Sequence, residues 1–209
     1  MKKSLLIIIA VIFLFTGCKE KSSSSKQDDF FSALKTGDVI FQKLPSELSR
    51  VISEVTKSEL SHCGMIIRTD DKTLKVIEAV GPVRIIPIDD FINNGIDKKF
   101  AVIRLKDVSA IDFDAVVDES KKFLNRPYDF QYRFDDEYIY CSELVYKAYL
   151  NAENIKIAKV VKLKELNYKD NIPFIKSLTG GDVPLEREMV TPVDLYNSNK
   201  FEKLFSNFD

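Results

Sequence analysis

The chain has 209 residues, and its 31 Lys and Arg nearly balance 32 Asp and Glu, which gives a formal net charge of −1. This balance provides no basic surface to hold a nucleic-acid backbone, so no nucleic-acid partner is expected. One His and three Cys leave few ligands for a zinc site, so we expect no metal and no other cofactor. The 45% hydrophobic content predicts one globular domain.

The N-terminal segment has the pattern of an export signal. Two Lys residues precede an apolar run from Leu5 to Phe15, which is too short to span a bilayer. The run ends in Leu14-Phe15-Thr16-Gly17-Cys18, which resembles the bacterial lipobox, where the Cys is lipidated and becomes the first mature residue. We therefore predict a lipoprotein signal peptide over residues 1–17 and a lipid on Cys18. An uncleaved anchor or an ordinary signal peptide is the alternative.

A polar stretch follows the predicted lipidation site. Residues 18–29 contain four consecutive Ser and almost no apolar side chain, which is typical of a flexible tether. The folded domain is then expected over residues 30–209. A doubly acylated Cys satisfies the two-chain requirement for lasting membrane attachment, so this pattern predicts a membrane-anchored lipoprotein of the bacterial cell envelope, outside the cytoplasm.

Strand patterns dominate the first half of the domain, and helical patterns the second half. Apolar spacing predicts a helix over 48–55 behind Ser46, and the turn residues 69–72 predict a hairpin. Helices are also expected over 112–125, from Cys141, and from Thr191-Pro192. Strands are predicted over 38–42, 61–68, 73–80, 83–88, 100–105 and, more weakly, 160–163. No internal repeat and no second domain is evident, and the class is α+β.

Cys141 lies where a Tyr-rich loop becomes a helix. The unpaired N–H groups of a helix start stabilise a thiolate, and the Cys141 N–H would also point at the oxyanion that forms when the thiolate attacks a carbonyl. This position predicts a nucleophile together with half of an oxyanion hole. The alternative is a small buried Cys that fills a contact between helix and sheet.

The single His offers a base for such a nucleophile. If the hairpin is symmetric about Asp70, His62 lies directly opposite Glu78, and a carboxylate that orients a His toward a nucleophile completes a triad. The alternative is an ordinary surface pair. Strand alternation places Cys63 on the face opposite His62, which predicts that Cys63 stays away from Cys141 and forms no disulfide with it.

Five short motifs occur in an order that resembles the YiiX/YaeF group of bacterial proteins, a circularly permuted form of the NlpC-type papain-like cysteine peptidases. The resemblance implies that Cys141 is the nucleophile, His62 the base and Glu78 its orienting partner. It also makes Tyr128, and Tyr140 beside the Cys, candidates for the oxyanion hole or a substrate contact. The motifs are Gly37-Asp38-Val39-Ile40-Phe41, Ser61-His62-Cys63-Gly64-Met65, Val76-Ile77-Glu78-Ala79, Pro127-Tyr128-Asp129 and Tyr140-Cys141-Ser142-Glu143-Leu144-Val145.

The resemblance implies an α+β, permuted papain-like fold with an antiparallel, barrel-like sheet against which the Cys141 helix packs. It implies a cysteine amidase or peptidase with a thioester intermediate, acting on peptidoglycan-type peptides or other small amides. A lipid-directed thiol acyl hydrolase or acyltransferase, similar to the lecithin retinol acyltransferase group, is one alternative. A non-catalytic binding lipoprotein is another, and the oligomeric state stays open. Glu143 stands where the peptidoglycan hydrolases have Gly.

Overall fold

The computed structural model describes residues 29–208. Residues 29–33 are helical and belong to a first compact unit, and a second unit begins at Leu34 and contains everything described below. The predicted signal peptide, Cys18 and all but the last residue of the tether lie outside the described residues. Over residues 29–208, no helix combines the length and the apolar character needed to cross a membrane.

The second unit is built on a six-stranded antiparallel sheet with the strand order β4-β3-β2-β1-β5-β8. A two-stranded antiparallel ladder, β6 with β7, lies apart from this sheet. The strands are β1 Val39–Gln42, β2 His62–Arg68, β3 Leu74–Ala79, β4 Val83–Pro87, β5 Ala101–Leu105, β6 Val161–Lys162, β7 Glu188–Met189 and β8 Phe201–Ser206. The predicted strands of the first half are confirmed, whereas β8 is absent from the sequence-based assignment.

Six α-helices connect these strands: α1 Glu47–Thr56, α2 Ile88–Asn94, α3 Phe113–Lys121, α4 Cys141–Glu153, α5 Ile172–Thr179 and α6 Pro192–Tyr196. Ser46, Asp112 and Thr191 cap α1, α3 and α6 through side-chain oxygens that accept backbone N–H bonds. These three starts and the start of α4 are confirmed. The α2 and α5 helices are additions that the sequence patterns did not predict.

The α4 helix is the central helix of the unit. Its first nine residues, Cys141 to Tyr149, are all buried, which requires packing on every side. It packs against α3 and against the face of the sheet that bears Cys63 and Met65. The mixed class and the helix-on-sheet arrangement are therefore those of the predicted α+β fold.

The β2–β3 register differs from the prediction. Gly64 pairs with Glu78, so the hairpin is centred on residue 71 and not on residue 70. The reason lies in the turn, where the Lys72 N–H donates to the Thr69 carbonyl and Lys72 adopts a left-handed φ of 65°. The prediction that His62 lies directly opposite Glu78 is wrong, but a shift of two residues keeps both side chains on one face.

Candidate active site

Cys141 is the first residue of α4, and the helix start positions its sulfur. Tyr140, the residue before it, has the extended backbone of an N-cap, and its N–H donates to Glu143 Oε2 at 3.3 Å. Cys141 thus lies in the first turn, where backbone N–H groups have no partner within the helix. The thiol is almost completely buried, with 2% of the residue exposed.

His62 is held by a buried carboxylate. Its Nε2 lies 2.6 Å from Glu78 Oε2, and both side chains are at most 3% exposed. The ring also stacks on Phe91 with 5.5 Å between the ring centroids. Because Glu78 occupies Nε2, Nδ1 is the ring nitrogen that remains for an interaction with Cys141, one of the groups that raise the pKa of His62. The His-to-carboxylate contact is thus present in the structure, as a diagonal pair across the ladder.

Glu78 is itself oriented by a second partner. Arg84 from β4, directly opposite Glu78 in the ladder, donates to Glu78 Oε1 through Nε at 2.9 Å and lies 2.8 Å away through Nη2. Burial raises the pKa of Glu78, but its bonds to His62 and Arg84 outweigh burial and hold that pKa below its usual value. Glu78 is therefore ionised, and Arg84 is a residue of the site that the sequence pattern did not single out.

The charges in the site favour a thiolate beside an imidazolium. Burial lowers the pKa of His62, but Cys141 and Glu78 outweigh burial and raise it to about 9. The Cys141 pKa lies well below its usual value, first because of a hydrogen bond from the Cys63 thiol and then, against the cost of burial, because of His62. The pair can therefore hold its proton on the His and its negative charge on the sulfur.

Cys63 lies near Cys141, which corrects the expectation that the two thiols stay apart. Both residues belong to the same buried core, and Cys63 is among the groups that lower the pKa of Cys141. The expectation fails because His62 and Cys63 are the first residues of β2, where a neighbouring side chain can lie close to two successive residues of the strand. Both are free thiols in the structure.

Two Tyr hydroxyls lie beside the thiol. The Tyr128 hydroxyl interacts with Cys141 and lies 3.4 Å from the Tyr132 hydroxyl. Burial first, and then Tyr132 and Cys141, raise the Tyr128 pKa well above its usual value, so this hydroxyl keeps its proton and can donate it. The backbone of Tyr128 is fixed by a bridge to Ile139. Tyr132 lies in the Tyr-rich loop before α4, and no role was predicted for it.

Tyr140 has a different position. It is fully buried, and its hydroxyl accepts the Val190 N–H at 3.1 Å. The neighbouring Ser142 hydroxyl donates to the Val190 carbonyl at 2.8 Å. The Tyr140 hydroxyl thus helps to hold the segment after β7 against the start of α4, and its role at the thiol stays a prediction.

An apolar groove leads to Cys141. Its empty volume, including the part open to solvent, is about 750 Å³, and its surface is almost wholly apolar. The walls come from α1, α5, the loop before α4 and the segments around β6 and β7. The lining includes Leu48, Val51, Ile52, Val55, Phe130, Tyr132, Leu163, Leu166, Phe174, Ile175, Leu178, Met189, Val190 and Pro192. The residues after 151, for which no role was predicted, thus form much of the wall.

A second buried ionic group lies in α4. Glu143 is fully buried, and Lys147 Nζ lies 2.8 Å from its Oε1, 2.7 Å from Asp136 Oδ1 and 2.6 Å from the Asp135 carbonyl. Burial raises the Glu143 pKa to about 7, although Lys147 lowers it. Glu143 therefore pairs with Lys147 one turn along the helix and accepts the Tyr140 N–H at the start of the helix.

Comparisons with known proteins agree with this geometry. The model of the family described as "Permuted papain-like amidase enzyme, YaeF/YiiX, C92 family" matches residues 33–205. The Escherichia coli (strain K12) protein YiiX is 34% identical over 167 residues, which cover 78% of this chain and 82% of YiiX.

A crystal structure supports the same assignment. It is described as that of the metalloprotein yiiX from Escherichia coli O157:H7, is 31% identical, and superposes with a TM-score of 0.76 over 84% of this chain and 98% of that one. Papain-like hydrolases pair a Cys thiol with a His. In this chain His62 comes before Cys141, which is the order of the permuted group. The chain belongs to the C92 family of permuted papain-like amidases and is, at the level of that family, a cysteine hydrolase.

Proposed function

We propose that this protein is a lipid-anchored cysteine amidase or peptidase of the bacterial cell envelope that uses Cys141, His62 and Glu78 as its triad. The observation that supports it best is the buried contact of 2.6 Å between His62 and Glu78, together with the buried Cys141, whose pKa His62 lowers. A buried His and a buried carboxylate are costly unless they pair, and packing alone would not require both beside a thiol.

The proposed mechanism assigns one role to each group. The Cys141 thiolate attacks the amide carbonyl, and the Cys141 N–H and the Tyr128 hydroxyl donate to the oxyanion. His62 gives its Nδ1 proton to the leaving amine, which leaves a thioester on Cys141. His62 then takes a proton from water, which hydrolyses the thioester, while Glu78 and Arg84 keep the ring oriented.

The substrate class follows from the family and the proposed location. An amidase family implies a peptide or another amide as substrate. An anchor on Cys18 would keep the enzyme at an envelope membrane, where peptidoglycan stem peptides provide amide bonds. The tether between Cys18 and the folded unit would let the site reach some distance from the membrane.

A lipid-directed acyl hydrolase is the second candidate, and the groove favours it. Its apolar wall reaches Cys141, and an apolar cleft of this kind suits an acyl chain better than a charged stem peptide. In this alternative the chain would lie between α1 and α5, with its carbonyl at Cys141. The chemistry at the thiol is the same for an ester and an amide, so substrate choice depends on the groove.

Metal chemistry is not part of the proposed mechanism. The solved relative is described as a metalloprotein, but the donor atoms of this site already have partners. Glu78 bonds His62 through one oxygen and Arg84 through the other. Over residues 29–208, no three His, Cys, Asp or Glu side chains are grouped to hold an ion. The donor set therefore does not fit a metal, and no step is assigned to one.

The test compares the mature protein and its Cys141→Ser variant on three substrates: a peptidoglycan stem peptide, an N-lauroyl amide and a lauroyl ester. We expect turnover and a covalent adduct on Cys141, detected by mass spectrometry, for at least the peptide. Preference for the two lauroyl substrates would select the lipid-directed alternative. Unchanged turnover in Cys141→Ser, or no turnover of any substrate by the wild type, would contradict the proposed enzyme, and the second result would favour a binding lipoprotein.

A further inference from the structure

We propose that Ser61 is a positioning residue for His62, and that the buried hydrogen bond between the Ser61 and Ser49 hydroxyls holds the His62 ring at Glu78. The inference rests on the proposed role of His62. It gives a function to the first residue of the motif Ser61-His62-Cys63-Gly64-Met65, to which the proposed triad assigns none.

His62 lies at the open end of its strand. It is the first residue of β2 and pairs with Gln42 in β1, whereas the ladder with β3 begins at Gly64. The backbone of His62 therefore has a paired strand on one side only, and its ring reaches Glu78 diagonally, at 2.6 Å. Because this reach depends on where the His62 backbone lies, a contact that fixes the preceding residue also fixes the ring.

Ser61, the preceding residue, is fixed by two hydrogen bonds. Its N–H donates to the Gln42 carbonyl at 3.2 Å, and its hydroxyl lies 2.5 Å from the Ser49 hydroxyl, so that one of the two donates to the other. Ser61 is 2% exposed and Ser49 is 3% exposed. A buried hydroxyl that loses its partner keeps the full cost of its desolvation, so the two hydroxyls resist separation.

Ser49 is a firm partner because the start of α1 holds it in turn. Its N–H donates at 3.2 Å to the hydroxyl of Ser46, the N-cap of α1, and its own hydroxyl accepts the Leu44 N–H at 3.0 Å. A Ser hydroxyl that accepts one bond can still donate its proton, here to Ser61. The starts of α1 and β2 are thus joined through side chains, and not only through the chain between them.

The same bond connects the base to the groove. Leu48 and Val51, on either side of Ser49 in α1, both line the groove that leads to Cys141. The helix that forms one wall of the groove therefore also carries the residue that anchors Ser61. The wall and the proposed base share one support, so a displacement of Ser61 should affect the chemistry without removing any contact to substrate.

The alternative is that the hydroxyl pair only stabilises the fold. Ser120 provides a matched control, because it is also fully buried and its hydroxyl donates to the Val117 carbonyl at 2.6 Å within α3. Loss of either kind of hydroxyl should lower the free energy of unfolding, but only loss of the Ser61–Ser49 bond should move the His62 ring. The chain has one His, so the imidazole signals of the untagged protein report that ring alone.

The experiment records the imidazole proton–nitrogen correlation spectrum of the untagged mature protein, prepared with isotope-labelled histidine and kept in detergent micelles at one pH. Wild type, Ser61→Ala, Ser49→Ala, the double variant and Ser120→Ala are compared, and thermal unfolding verifies that each is folded. We expect the signal of the Nε2–H that bonds Glu78 to change in both single variants, and by the same amount in the double variant, because each removes the same bond. Ser120→Ala should keep the wild-type signal.

Turnover provides a second measurement on the same proteins. With the best substrate, kcat should fall about tenfold in Ser61→Ala, Ser49→Ala and the double variant, because the ring is less well placed for proton transfer. KM should stay unchanged, since no groove residue is altered. Ser120→Ala should have the wild-type kcat at a temperature at which it is folded.

A wild-type imidazole signal in Ser61→Ala would overturn the proposal. Changes that add up in the double variant would also overturn it, and so would an equal change in Ser120→Ala, because a general loss of stability would then account for all of them. If Ser49→Ala is unfolded, Ser61→Ala decides the question, because it leaves the Leu44 N–H its acceptor. The spectrum needs no substrate, so a failure of the proposed hydrolysis, seen as unchanged turnover in Cys141→Ser, stays distinguishable from a failure here.

Discussion

Two regions of this molecule meet at Cys141 and differ in how they are built. The catalytic end, formed by the start of α4 and the β2–β3 hairpin, buries ionisable groups that each have a partner. The groove wall, here the part of the lining formed by α5 and residues 184–192, presents apolar side chains, and α5 has no fully buried residue. The difference teaches that one region is built for the proposed chemistry by paired polar groups, whereas the other offers an apolar surface on which the proposed substrate choice would depend.

The two regions should therefore respond differently to substitution. A buried charge that loses its partner keeps the full cost of its burial, so changes at the catalytic end should be large. A half-exposed apolar side chain contributes in proportion to the area that it covers, so changes in the wall should be small and should depend on the substrate. Six substitutions at five residues measure this contrast, from the largest expected effect to the smallest.

Cys141→Ser and His62→Ala should have the largest effect. A Ser hydroxyl is far harder to deprotonate than a thiol, and without His62 no group accepts or returns the proton, so kcat/KM should fall by about 10³ or more. The measurement is the steady-state rate on the best substrate, with thermal unfolding to verify the fold. Activity within tenfold of the wild type in either variant would remove that residue from the triad.

Glu143→Gln should change stability at the catalytic end, in a pH-dependent way. A carboxyl with a pKa of about 7 in the folded chain, and a normal one when unfolded, favours unfolding as pH rises from about 4.5 to 7. Relative to Glu143→Gln, the wild type should lose about 3 kcal/mol of unfolding free energy over that range.

Urea unfolding of both proteins at pH 5 and pH 8 measures the Glu143 effect. The groups that face Glu143 are Lys147, which pairs with it, and Asp129, which raises its pKa further. If the stability difference between the two proteins is the same at both pH values, Glu143 remains ionised and paired with Lys147 throughout, and the buried carboxyl is not neutral at pH 5.

Glu78→Gln and Glu78→Ala should differ from each other. Gln can still accept a hydrogen bond from His62 but does not stabilise its positive charge, so we expect about a tenfold loss of kcat/KM for Gln and about a hundredfold loss for Ala. The alkaline limb of the pH–rate profile, set by the His62 pKa of about 9, should move to lower pH in both variants. Wild-type rates and an unmoved limb in both would disprove the orienting role.

The contact between His62 and Glu78 could be predicted from the sequence because residue type limits the options at this end. Few arrangements are possible with one His, a Cys at a helix start and a carboxylate on the same face of the neighbouring strand. Capping residues such as Ser46 and Thr191 likewise indicate where their helices begin. The exact register of β2 and β3 could not be predicted because it depends on the turn. There Lys72 adopts a left-handed conformation, which a Lys in the sequence does not indicate. The proximity of Cys63 to Cys141 could not be predicted from side-chain alternation. Alternation assigns the residues of β2 to the two faces of the sheet, but it does not describe what approaches the end of the strand.

The groove wall could not be predicted for a different reason. Its segments are short, and the apolar residues of an element of five to eight residues are too few to show a clear periodicity. In α5 the sequence Ile172-Pro173-Phe174-Ile175 reads equally well as a loop or a strand, and only packing against the rest of the unit selects the helix. The β8 strand likewise owes its place to pairing with β5, a partner about 100 residues earlier in the chain.

Leu178→Gln should have the smallest effect and the most specific one. Leu178 lines the groove from α5 and is only partly buried, so the substitution should leave the fold intact. Covering a Leu side chain contributes about 1.5–3 kcal/mol when burial is complete, so partial loss should raise KM for an N-lauroyl amide by about tenfold. Lys176→Gln, on the same helix but outside the lining, is the matched control and should behave as the wild type.

The same pair of variants separates the two candidate substrates. If acyl chains occupy the groove, Leu178→Gln should impair the lauroyl amide and the lauroyl ester alike and leave a short stem peptide unaffected, because the peptide makes its contacts at Cys141 and His62. If the groove instead binds apolar side chains of a peptide, the loss should appear with the peptide as well. An unchanged KM for all three substrates in Leu178→Gln would show that the wall does not touch substrate, and the contrast between the two regions would then be one of structure alone.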